Sequence, residues 1–112
     1  MKILYIAGPY MGPTYRHIEA NIMDARLAAI ELAEAGIGFF CPHLNSAHFE
    51  QWTPDVPESF WKTLDMQMLK HCDAILMLPR WDKSSGARAE KVEAERLGLP
   101  VFYTVPTSER WS

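Results

Sequence analysis

The sequence predicts one α/β domain built as a doubly wound parallel sheet with helices on both faces. Three observations predict it. Short, continuously apolar runs recur along the chain: "KILYIAG", "IGFFCP", "DAILMLP" and "VFYTV". Runs without polar alternation read as strands buried on both faces, the habit of parallel sheets. Longer segments of helical spacing separate them, and strand–helix alternation produces crossovers that cover both faces. Finally, 112 residues is near the commonest domain size and long enough for a real core, so residues 1–112 are read as a single domain. The expected strand order is 2-1-3-4; a first strand at the sheet edge would contradict it.

Each element has its own signal. The first strand ends at Gly8-Pro9, a break. In "YRHIEANIMDARLAAIELAEAG", Ile18, Ile22, Met23, Leu27, Ile30 and Ala33 follow helical spacing, and Gly36 is a stop. Residues 43–57 show no clear period and read as a long loop, a feature that in a compact domain is often functional. "PESFWKTLDMQMLKHC" reads as a helix with Pro57 near its start and Glu58 in its first turn. "SSGARAEKVEAERLG" reads as a helix with Gly98 as its stop.

Composition excludes several classes. Hydrophobic residues make up 48% and charged residues 22%, an ordinary soluble balance. A formal net charge of −3 leaves no basic footprint for a nucleic-acid polymer, though small anionic ligands need only local donors. Cys41 and Cys72 are too isolated for a disulfide framework or a zinc site and read as reduced core thiols. No stretch approaches a membrane span, and the opening run is too short for a signal peptide, so a cytoplasmic protein is expected. His43 and His48 lack a third ligand at metal spacing, and no Gly-rich dinucleotide or Walker-type loop appears.

In parallel α/β sheets ligands sit at the carboxyl ends of the strands. That rule nominates Gly8-Pro9-Tyr10, Pro42-His43, Pro79-Arg80-Trp81 and the turn Ser84-Ser85-Gly86. Among carboxylates Glu90 has the strongest claim. On a helical wheel it shares its stripe with Gly86, Ala87, Ala94 and Leu97, whereas Arg88, Lys91, Glu95 and Arg96 spread over the flank. The usual reading of a helical Glu is a solvated side chain, which does not explain an apolar stripe. A carboxylate just behind a helix N-terminus stays ionised yet partly desolvated, which suits a nucleophile. Asp65 neighbours Trp61, Leu64, Leu69 and Cys72, and a border position on the stripe explains it equally well. Two carboxylates in one cleft can divide attack and proton handling between them. Ser84 and Ser85 are N-cap residues by type, and a helix N-terminus with hydroxyls is also an anion site. Arg16, Arg80 and Arg88 are more ordinarily solvated than phosphate ligands. Tyr10, Trp52 and Trp81 can stack on a planar base or simply line a core edge. Asn21 and Asp24 read as the polar flank of the first helix.

Taken together, "YIAGPY", Asp65 followed by "CDAILMLP", and "SSGARAEKVEA" resemble the nucleoside 2-deoxyribosyltransferase superfamily in order and spacing over nearly the whole chain. Each motif is short; their combination carries the resemblance, which is strongest to a short bacterial and phage branch. The resemblance implies that Glu90 is a nucleophile forming a glycosyl-enzyme intermediate and that Asp65 assists base protonation or orientation. It implies that Gly8, Pro9 and Tyr10 line the sugar pocket and that Ser84, Ser85 and Gly86 receive the 5′ end, with Trp81 beside them as a substrate-binding candidate. It also implies a homo-oligomer, a small-molecule nucleoside or nucleotide partner, and no metal or organic cofactor.

The sequence departs from the pattern at three places. Ala87 stands for a Thr or Ser, Val92 for a glycine, and Ser84 for an Asp that holds the sugar's 5′-hydroxyl in transferases. Related deoxynucleoside 5′-monophosphate hydrolases carry a Ser at the last place, where it binds phosphate. The expected function is therefore N-glycosidic cleavage of a (deoxy)nucleoside or its 5′-monophosphate, by hydrolysis or base transfer. The alternative is an inactive nucleotide-binding or regulatory module of the same fold, which Ala87 and Val92 favour.

Overall fold

The computed structural model describes residues 1–111. Four parallel strands, β1 (Ile3–Ala7), β2 (Gly38–Phe40), β3 (Ala74–Met77) and β4 (Val101–Phe102), form one sheet in the order β2-β1-β3-β4. The first strand is therefore interior, pairing Leu4 with Phe39 on one side and with Ala74 on the other. Between the strands run α1 (Tyr15–Glu34), α2 (Pro42–Asn45), α3 (Phe49–Trp52), α4 (Glu58–Lys70) and α5 (Ser85–Arg96), with α6 (Ser108–Trp111) at the end. A 3-10 turn, Trp81–Lys83, leads into α5. The expected fold class and strand order hold, and the sheet is Rossmann-like.

The period of two along each strand sorts the core into two layers. Leu4, Ile6, Ala74 and Leu76 point towards Ala25, Ala29 and Leu32 of α1. Tyr5, Ala7, Ile75 and Met77 point the other way, towards Leu69 of α4 and towards Ala87 and Ala94 of α5. Gly36 and Gly98, past the ends of α1 and α5, adopt φ of +74° and +76°, the left-handed conformation that glycine reaches without strain.

The structure adds the buried face of α1 and corrects the segment after β2. The buried stripe of α1 is Ile18, Ile22, Ala25, Ala29 and Leu32. Met23, Leu27 and Ile30, which share the helical spacing in the sequence, are 44, 57 and 47% exposed. The alanines turn inward because they let α1 approach the sheet closely, which rotates the row of larger side chains outward. The segment 43–57, expected as loop, contains α2 and α3. Each is a single turn, too short for an apolar period to register in the sequence.

Candidate functional site

A cleft of about 740 Å³ opens at the carboxyl ends of the strands. The sheet's alternation determines its chemistry. Tyr5 faces the α4–α5 layer, and both helices turn carboxylates into the cleft, Asp65 from the body of α4 and Glu90 from α5, with Glu58 at the start of α4 on its wall. On α5 the small residues Ala87 and Ala94 are buried against the sheet at 1 and 0% exposure. Glu90 lies between them on the same stripe, so the packing that docks the helix also carries its carboxylate inward.

The Tyr5 hydroxyl donates a hydrogen bond to Glu90 Oε2. Burial lifts the Glu90 carboxyl to about 7; the Tyr5 hydrogen bond opposes that rise and the nearby Asp65 charge adds to it. Burial alone lifts Asp65 to about 6. Burial, together with the neighbouring Glu90 and Asp65 charges, pushes the Tyr5 phenol far up, so it is a donor throughout the accessible pH range. Burial thus keeps both carboxyl groups partly protonated towards neutrality, Glu90 more than Asp65.

Helix polarity plays a smaller part than expected. Ser84 is the N-cap of α5, its Oγ accepting the Ala87 N–H at 3.1 Å. Glu90 lies beyond the first turn, where the field of the free N–H groups has fallen away. The donor that favours its charged form is Tyr5. Sequence reasoning missed this residue because it read β1 as a purely apolar run. The available signal was a tyrosine in a strand buried on both sides, whose hydroxyl needs a partner.

Of the residues expected at the site, Gly8, Pro9, Tyr10, Asp65, Ser84, Ser85, Gly86 and Glu90 all line this cleft. Trp81 does not. Its ring packs 5.9 Å from that of Tyr103, under the Lys91 ammonium, because the 3-10 turn carries it towards the β4 side. The indole that does line the cleft is that of Trp61. The arginines also turn elsewhere: Arg80 pairs with Asp24 at 2.8 Å and Arg88 donates to the Asp82 carbonyl at 2.7 Å. Lys62 and Lys83 are the cations on the cleft wall.

The turn after β1 is held from behind. A Cβ on Gly8 would lie 2.8 Å from Leu78 Cβ, so only glycine lets β1 and the end of β3 come this close. Asn21 and His43, the two buried polar side chains among the described residues, both bind this turn. Asn21 Nδ2 donates to the Tyr10 carbonyl at 2.9 Å, and His43 Nε2 lies 2.7 Å from the Pro9 carbonyl. Burial lowers the His43 pKa, keeping the ring neutral. Asn21, read as polar flank, is therefore an inward-facing anchor of the cleft wall.

A family model described as "Domain of unknown function (DUF4406)" matches residues 2–103. The chain belongs to this family. No curated protein matches it in sequence. In structure this DUF4406 chain is similar to the 2-deoxyribosyltransferase of the psychrotolerant bacterium Bacillus psychrosaccharolyticus. The TM-score is 0.64 and the identity 22%, over 88% of this chain and 69% of that one. It is also similar to the 2-desoxiribosyltransferase of Leishmania mexicana, with a TM-score of 0.60 and 21% identity over 90% of this chain. The chain spans 62% of the Leishmania protein's length. At these identities the likeness is one of fold, and at that level it bears out the resemblance carried by the motifs. Among the described residues of this DUF4406 domain, no helix is long and apolar enough to cross a membrane.

Proposed function

We propose that the protein cleaves the N-glycosidic bond of a (deoxy)nucleoside or its 5′-monophosphate, with Glu90 as nucleophile. The fold shared with nucleoside 2-deoxyribosyltransferases supports the class of reaction. The observation that carries the reading is the Glu90 carboxylate, hydrogen-bonded by Tyr5 and facing the same cleft as Asp65. In the first step a Glu90 oxygen bonds to C1′ as the C1′–N bond breaks, and the bond's electron pair leaves with the base. Asp65 in its acid form gives that base a proton. Positive charge developing at C1′ favours the Glu90 anion, so the form that reacts has Glu90 ionised and the proton on Asp65. In the second step water, or the nitrogen of another base, attacks C1′ and gives its proton to Asp65, releasing Glu90. No metal or organic cofactor enters these steps, and a homo-oligomer remains part of the proposal.

Ser84 and Lys83 border the end of the cleft formed by the start of α5, which suits a 5′-phosphate. Incubation with a panel of nucleosides and 5′-monophosphates, with and without an acceptor base, tests the proposal by chromatography of free base. Release that disappears in Glu90→Gln supports it; release that persists there removes Glu90 as nucleophile. Binding without release from any substrate would favour the inactive module instead. That second reading rests on Ala87, which lines the cleft where the resembled family carries a hydroxyl.

A further inference from the structure

The cleft contains acceptors whose hydrogen-bonding capacity the protein itself leaves largely unfilled. Tyr10 stands between them. Its hydroxyl accepts the His48 backbone N–H at 2.8 Å and donates to Glu50, lying 3.0 and 3.1 Å from the two carboxylate oxygens. One phenolic proton occupies a small part of what a carboxylate can accept, roughly four hydrogen bonds. Among the described residues no lysine or arginine forms an ion pair with Glu50. On the other side of Tyr10, the His43 ring lies edge-on at 5.5 Å. A carbonyl only accepts, so the bond to Pro9 puts the His43 proton on Nε2 and leaves Nδ1 as an acceptor. That Nδ1 is buried with no partner, on a side chain only 6% exposed. Glu50 and His43 both line the cleft.

We propose that Glu50 is a specificity-determining residue which selects a base carrying an exocyclic amino group. The inference rests on the nucleoside reading given above and deepens it. Position supports the assignment to the base rather than the sugar. Phe49, next to Glu50 in α3, packs edge-on against Trp61 at 5.6 Å, and Trp61 precedes Asp65 by one turn of α4. Glu50 therefore belongs to the wall that holds the aromatic ring and the proton donor for the leaving base. The hydroxyls and backbone of Ser84 to Gly86 belong to the other helix, α5. The charges agree: Lys62 on the α4 wall is paired with Glu58 at 3.4 Å, so a 5′-phosphate is attracted towards Lys83 and the start of α5 and repelled from Glu50, which orients the ligand with its base on the Glu50 side. There an amino group donates to the carboxylate, whereas a bare ring edge or a carbonyl leaves the acceptors unmatched.

The test uses 5′-monophosphate pairs that differ only by an amino group: guanine against hypoxanthine, and adenine against unsubstituted purine. Binding is measured by calorimetry on Glu90→Gln protein, alongside base release by the wild type. In at least one pair the amino-bearing member should bind roughly tenfold to a hundredfold more tightly, the usual range for a hydrogen bond to a charged group. Adding Glu50→Gln should shrink that ratio to within about threefold, while adding Tyr10→Phe, which keeps the carboxylate, should preserve it. Equal binding within both pairs overturns the proposal, as does a ratio that survives Glu50→Gln. A Glu50 that merely tethered Tyr10 would make the two substitutions alike, weakening both members of a pair equally. Base release without discrimination sinks this inference alone; discrimination in binding without release from any substrate sinks the cleavage reading alone.

Discussion

Tyr5 and Glu90 lie 85 positions apart in the chain and are joined by a hydrogen bond from phenol to carboxylate. The bond favours the charged form of a carboxyl group that burial otherwise neutralises. Removing it with Tyr5→Phe raises the Glu90 pKa further. The acid limb of the pH–rate profile should then move upward by about one unit, lowering base release roughly tenfold below pH 7 and restoring it at higher pH. Rates measured from pH 5 to 9 check this; an equal loss at every pH would mean that Tyr5 only maintains packing.

Glu90→Gln should abolish turnover yet stabilise the fold at alkaline pH. The Glu90 pKa is raised from 4.5 to about 7 on folding. Its contribution to stability is thus fully present below pH 4.5 and is lost as pH rises through about 7. A shift of this size corresponds to about 3 kcal/mol. Urea unfolding of wild type should show declining stability across that window from this group, and Glu90→Gln should show a flatter curve. Asp65, raised from 3.8 to about 6, acts in the same direction, so Asp65→Asn should flatten the lower part of the same window.

Ser84→Asp separates the cap from the ligand. Aspartate caps a helix as well as serine does, so α5 should keep its start and the unfolding midpoint should change little. A phosphate near Ser84 would meet a like charge. Binding of 5′-monophosphates should weaken by at least about tenfold more than binding of the free nucleosides. Equal weakening of both in a calorimetric titration would remove the phosphate from this end of the cleft.

Asn21→Ala and His43→Leu should each loosen the turn from Pro9 to Met11, costing about 1–3 kcal/mol by leaving a buried carbonyl unpaired. His43 adds a pH signature. Its pKa is held below 6.5 on folding, so the stability it contributes is present above pH 6.5 and is lost as pH falls from there towards its folded value. His43→Leu should remove that acid-side loss from the unfolding curve; a variant that keeps it would place the titration elsewhere.

Strand–helix alternation made the sheet legible from sequence, because continuous apolar runs have few alternatives to a buried parallel strand. Glu90 and Asp65 were legible for the complementary reason, as carboxylates on apolar stripes. Tyr5 and Asn21 were not, nor was the anchoring role of His43, whose place after β2 had nominated it for the cleft. Each is a polar atom whose partner lies far away in sequence, and periodicity records only which face a residue occupies. Trp81 was misplaced because one turn of 3-10 helix decides which way an indole points. The helical spacing of Met23, Leu27 and Ile30 did not tell which face of α1 is buried, because the alanines, weaker in hydropathy, fit the space beneath the helix better.

The strand order has a kinetic consequence. β1 comes first along the chain but lies between β2 and β3, so its second partner becomes available only after the whole of α1 to α4 has intervened. The Ile3 N–H to Asp73 bond already spans 70 residues, and the bond from Tyr5 waits longer, for α5 to dock. Contacts of such separation form slowly, since the loop must close before they contribute. A half-folded chain with β1 and β2 paired therefore exposes an unsatisfied phenol and has not yet brought Tyr5 and Glu90 together. Completion of the cleft and completion of folding coincide, so under the proposed function a nucleotide added during refolding should capture only the finished molecule.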